Sequence, residues 1–153
     1  MKNRRPLIAG NWKMYKTPDE SAETARQLDL HVRSVADVDI MIAPTFTALT
    51  AVWEVVQKGP VTLGAQNLYW ESEGAYTGEI SAPMLKSVGC EYCIIGHSER
   101  RQYFGETDQT VNKKIQAAIK AKRKPVFCVG ETDKEREAEQ TFSVLDKQVQ
   151  KGL

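Results

Sequence analysis

Five short apolar runs set the tightest limit on how this chain can fold. They begin near residues 7, 38, 61, 92 and 124, and a helical pattern follows each one. Every run is too short for a helix and apolar on successive residues, the pattern of a strand buried on both faces. Strands of that kind alternating with helices build a parallel sheet with right-handed crossovers. In 153 residues, five such units suit a doubly wound flavodoxin-like α/β domain. They equally suit the first five units of a (β/α)8 barrel, whose full form needs about 250 residues. Periodicity leaves both open, and in either case residues 1–153 form a single domain.

The helices carry their own signals. Thr17 and Glu20 form a capping box with Pro18 at the first helical position. Ala22, Ala25, Leu28, Val32 and Val35 make the expected buried stripe, with His31 off it at the surface. A second helix runs from Ala48 to Val56 and is stopped by Gly59. A short third spans Ser81 to Val88, closed by Gly89. Thr107 opens a helix with the stripe Val111, Ile115, Ala118 and Ile119. The basic residues 120–124 suit its negative end, so they read as a charged face rather than a binding patch. The last helix is expected to bury Ala138, Phe142, Leu145 and Val149. Gly-Glu-Thr-Asp occurs at 105–108 and again at 130–133, each time joining a glycine turn to a helix start. The match is too short for a domain repeat.

Three places carry candidate chemistry. The fourth run, opened by Cys93, leads through Gly96 to His97, with Ser98 as the expected cap of the next helical turn. Ligands of parallel α/β proteins sit outside the carboxyl ends of strands, so His97 is either placed for chemistry or packed under a loop. In the first run, Leu7 to Met14, strand alternation turns Asn11 and Lys13 to one face, unless this is a frayed, solvated strand end. The loop from Asn67 to Glu79 holds Tyr69, Trp70 and Tyr76. That much apolar surface demands a loop packed on itself or against a partner.

Several function classes recede. With 21 basic and 20 acidic residues, no large field favours nucleic acid or an anionic membrane. The basic start through Arg5 precedes an apolar run too short for a secretory leader, and no stretch reaches the length of a membrane span. A cytoplasmic location is expected. Cys90 and Cys93 match C-x-x-C, yet no second pair or histidine cluster completes a metal site, so buried thiols are expected. The nucleotide-binding glycine motifs are missing.

Five segments together carry a resemblance. They are Ala9-Gly10-Asn11-Trp12-Lys13-Met14, Gly64-Ala65-Gln66-Asn67, Gly74-Ala75-Tyr76-Thr77-Gly78-Glu79, Gly96-His97-Ser98-Glu99-Arg100-Arg101 and Cys128-Val129-Gly130-Glu131. In that order and at those spacings, along essentially the whole chain, they resemble the triosephosphate isomerase family. The resemblance implies a partial (β/α)8 barrel, the first five parallel βα units, with the last three units beyond Leu153. The family's glutamate base, mobile lid and late phosphate-binding loops would lie there too.

The family reaction interconverts dihydroxyacetone phosphate and glyceraldehyde 3-phosphate by proton transfer, with no metal or organic cofactor. Asn11 and Lys13 would line the substrate site, Lys13 bringing positive charge to the phosphate and the developing enediolate oxygen. His97 would be the neutral electrophile that polarises the carbonyl. Ser98 and Glu99 would support it, Glu99 beside Lys13. Thr77 matches the tip of a loop that enters the neighbouring subunit, which implies a homodimer through residues 67–79. Cys128 matches a buried structural cysteine. Two other readings stand beside this one: an inactive half-barrel that only self-associates, and a different phosphate-binding α/β domain.

Overall fold

The computed structural model describes residues 4–153; residues 1–3, the start of the basic flank weighed above as a leader, lie outside them. The chain runs β1 (Leu7–Asn11), α1 (Pro18–His31), β2 (Asp39–Ala43), then a 3-10 turn (Phe46–Ala48) entering α2 (Leu49–Val56). It continues with β3 (Val61–Ala65), α3 (Ala82–Ser87), β4 (Cys90–Ile95) and α4 (Ser98–Phe104). Last come α5 (Asp108–Lys120), β5 (Lys124–Phe127), α6 (Asp133–Glu137) and α7 (Thr141–Gly152).

All four pairings are parallel and the strand order is β1-β2-β3-β4-β5. A doubly wound sheet reverses its strand order at a switch point; this sheet never does. It is a half-barrel, with β1 and β5 as its edges.

The strands are apolar on successive residues because each face meets its own core. Toward the helices, Ile40, Ile42, Leu63, Ala65, Cys93 and Ile95 pack with Val52, Val56, Leu85, Val111 and Ile115. On the other face Met41, Ala43, Tyr92 and Ile94 form a second cluster, flanked by Val126 and Cys128. Edge strand β1 is less covered, and Ile8 is 60% exposed.

Several sequence expectations are corrected. The first strand ends at Asn11 rather than reaching Met14. Along α1 the fully buried residues are Ser21, Ala25 and Asp29; Leu28, Val32 and Val35 of the expected stripe are partly buried against the same core, the last two beyond the helix end. Gly59 is not a left-handed cap. It leaves room for the Asp29 carboxylate, because a side-chain carbon there would fall 1.9 Å from Asp29 Oδ1. On α5 the expected stripe holds at Val111, Ile115 and Ala118 but not at Ile119, which is exposed, while Lys114 is buried beside them, its ammonium with partners of its own. The final helix is two. Glu139 takes φ 57° between α6 and α7, and Phe142 is 86% exposed because α7 packs on α5 through another face.

Other expectations hold. Thr17, Thr107 and Thr132 each cap a helix in a reciprocal box, so both Gly-Glu-Thr-Asp copies start helices. His31 is exposed at the end of α1, its Nδ1 against the Gln27 carbonyl. Within the basic stretch, Arg123 donates to the Cys90 carbonyl and Lys124 pairs with Glu91. All three cysteines are free thiols, and burial pushes Cys90 up to about 12 and raises Cys93 further; Cys128, expected buried, is only half-buried past the end of edge strand β5.

Candidate active site

The carboxyl ends of β1, β3 and β4 bring together Asn11, Lys13, Gln66, His97 and Glu99. Lys13 stands at the centre. Its backbone leaves the strand at φ 52°, a left-handed conformation that costs a non-glycine residue roughly 1–3 kcal/mol. Two side chains hold it there. Asn11 Oδ1 accepts the Lys13 N–H at 2.9 Å. Gln66 Nε2 donates to the Lys13 carbonyl at 2.7 Å and to the Ala43 carbonyl at 2.9 Å. Asn11 and Lys13 therefore meet through this bond, and not through the strand alternation expected above. Gln66, quoted there only within a motif, turns out to tie three strand ends together.

The Lys13 ammonium lies 2.8 Å from Glu99 Oε1. The Glu99 hydrogen bond raises the Lys13 pKa above its ordinary value, and Lys13 holds the Glu99 carboxyl below the usual range. Both side chains remain partly open to solvent. A charged lysine thus faces outward over the strand ends, where an anionic group could approach.

His97, and not Ser98, caps α4. Its Nδ1 accepts the Glu99 backbone N–H at 3.3 Å, and Ser98 is the exposed first residue of the helix. The ring nitrogen sits where a serine hydroxyl was expected. With Nδ1 accepting, the proton of the neutral ring belongs on Nε2, which is left as a donor. Behind the turn lies a buried charge network. Glu106 accepts from the Gly96 N–H at 3.0 Å, from Arg100 at 3.3 Å and from Lys114. Lys114 also donates to Asn67 at 2.8 Å. A lysine in the apolar stripe of α5 was the available signal for this network, since a charge on a core face demands a buried partner.

Thr77 is exposed in the loop after β3. That loop packs on itself: the Tyr69 ring lies 4.1 Å from Trp70 and 4.7 Å from Tyr76 between centroids. Lys113 sits 5.0 Å over the Trp70 ring. No group of three potential metal ligands occurs among the described residues. No described helix is long and apolar enough to cross a membrane.

Five consecutive parallel βα units, with their polar cluster at the strands' carboxyl ends, define a partial (β/α)8-barrel protein. The family model described as triosephosphate isomerase matches residues 6–153, and the chain belongs to that family. A triosephosphate isomerase of Endomicrobium trichonymphae is 53% identical over 150 residues, covering 98% of this chain and 60% of the relative. One from Geobacter metallireducens gives the same identity and coverage. The crystal structure of triosephosphate isomerase from Bartonella henselae superposes with a TM-score of 0.93 at 39% identity, over 98% of this chain and 62% of that one. The chain therefore spans about 60% of the length of the curated relatives it matches.

Proposed function

We propose that residues 1–153 supply the electrophilic half of a triosephosphate isomerase site, for interconversion of dihydroxyacetone phosphate and glyceraldehyde 3-phosphate. The carrying observation is the pinning of Lys13 at φ 52° beside Glu99, on the same strand ends that present His97. In this reading the Nε2–H of His97 donates to the substrate carbonyl oxygen. Lys13 stabilises the phosphate dianion and the developing oxyanion, where water is excluded and charge counts for more. Asn11 positions Lys13 and keeps its Nδ2 donors for substrate. Glu99 orients both partners. The base that moves the carbon-bound proton is the family glutamate expected after residue 153, and no cofactor enters the reaction.

The loop 67–79 serves in this proposal as the contact of a homodimer, its aromatic stack presenting Thr77. A cytoplasmic location accords with three unpaired cysteines.

The test uses a complete protein of the family that carries residues 1–153 unchanged. Lys13→Met should lower kcat severely with an unchanged circular dichroism spectrum. His97→Gln should lower it about 10²-fold or more, and His31→Gln should leave it unaltered. Equal damage from His31→Gln and His97→Gln would sink the assignment. The 153-residue polypeptide assayed alone should show no appreciable turnover, because loss of a positioned base costs roughly 10²–10⁴ in rate.

A further inference from the structure

The turn that carries His97 is gripped by two charged side chains, Glu106 and Arg101, and neither has a part in the chemistry above. Gly96 lies at φ 76°. Its N–H goes to Glu106, and its carbonyl accepts the Arg101 Nε–H at 2.9 Å. Arg101 Nη1 in turn donates to Asp108 Oδ1 at 2.6 Å. A side-chain carbon at residue 96 would stand 3.0 Å from the Cys128 carbonyl oxygen, 3.1 Å from Arg101 Nη2 and 3.2 Å from Val111 Cγ2. Any side chain there would crowd the guanidinium by a few tenths of an ångström, and the positive φ favours glycine as well. The carbonyl that Arg101 holds belongs to the same peptide unit as the His97 nitrogen, so any rotation of that unit swings the imidazole.

We propose that Arg101, aimed by Asp108, is a positioning residue for His97: it fixes the Gly96–His97 peptide plane and so sets where Nε2 stands. The proposal rests on the reading of His97 as the electrophile. The guanidinium fork serves the Gly96 carbonyl and the Asp108 carboxylate at once, on different nitrogens. A lysine keeps the charge but must make both bonds from a single terminal nitrogen, so it cannot span the Gly96 carbonyl and the Asp108 carboxylate with the planar, two-point geometry of the guanidinium. A purely packing or charge-balancing role would be met nearly as well by lysine.

Two measurements test this with Arg101→Lys and Asp108→Asn. The first is ¹⁵N spectroscopy of the histidine rings in the 153-residue chain, which has two histidines, so His31 is an internal reference. The unaltered chain should show His97 as a single Nε2–H tautomer, with its two ring nitrogens well separated. Arg101→Lys should draw them toward an averaged mixture, and Asp108→Asn should do so more weakly. Unchanged His97 signals in the folded variants would overturn the proposal. The second is steady-state kinetics in a complete family protein carrying residues 1–153. There Arg101→Lys should lower kcat about 10- to 100-fold with KM within about twofold, as a misplacement near 1 Å does. A raised KM with unaltered kcat would overturn positioning. Altered ring signals with unaltered kinetics would uphold positioning and overturn His97 as the electrophile. If Arg101→Lys does not fold, Asp108→Asn leaves the guanidinium in place and carries both comparisons.

Discussion

Glu106→Gln keeps the shape of a buried side chain and removes its charge. The Glu106 side chain is 2% exposed and that of Lys114 is 6% exposed. After the change, the Lys114 ammonium keeps Asn67 but loses its counter-charge, and Arg100 loses its carboxylate partner. Breaking a buried pair by removing one partner costs about 3–5 kcal/mol, because the remaining charge is stranded out of water. Set against a typical domain stability of about 5–15 kcal/mol, that is a large share. At this chain length it corresponds to a fall in Tm on the order of 10 °C.

The charge also predicts a pH dependence. Burial pushes the Glu106 carboxyl up, but Lys114 and Arg100 outweigh it and hold the pKa below the ordinary 4.5. A lowered folded-state pKa contributes stability that is full above 4.5 and drains away as pH falls through the folded value. The unaltered chain should therefore lose more stability between neutral and acid pH than Glu106→Gln does. Replacing both partners, as Glu106→Leu with Lys114→Met, should cost less than either single change. Denaturant melts of the five proteins (unaltered, Glu106→Gln, Glu106→Leu, Lys114→Met and the pair) at neutral and acid pH decide it. A single-variant loss below about 1 kcal/mol would show that the network is not the buried pair described, since exposed pairs are worth that little.

Three further outcomes are expected. Lys13→Met should let the Glu99 carboxyl titrate closer to the ordinary 4.5, because Lys13 is the main cause of its lowering; site-resolved ¹³C titration reads this, and an unmoved value would contradict the Lys13–Glu99 contact. The 153-residue polypeptide on its own should self-associate through its open sheet edges β1 and β5, and sedimentation showing a stable dilute monomer would refute that. Cys90 and Cys93 should resist thiol reagents in the native state at neutral pH, since burial keeps both protonated, whereas fast labelling of either would mean local opening of β4.

The strands were legible because each is short, apolar on both faces and cut off by a turn. Their order was not, since a run such as Val61 to Ala65 says nothing of which neighbour it pairs with. The spaced motifs supplied the barrel, and the sequential order bears it out. At the site, the neighbourhood of Lys13 and Glu99 was foreseen through the resemblance. The means was hidden, because a positive φ at a lysine leaves no mark in composition or periodicity. The exposure of Phe142 escaped for the opposite reason: its spacing fits a buried stripe, but α7 has no wall for that stripe to face. Lys114 could have been found, as a charge interrupting Val111, Ile115 and Ala118.

The sequential strand order also bears on how the chain is made. Every strand after β1 pairs with the one synthesised just before it. Successive strands leave the ribosome a few seconds apart at about 5–20 residues per second, far longer than a helix or a short loop needs to form. Each new βα unit can therefore settle on an edge already waiting for it, without a long search for a distant partner. The advancing edge is always the youngest strand. Only β1 must wait, holding Ile8 in water until something closes over it.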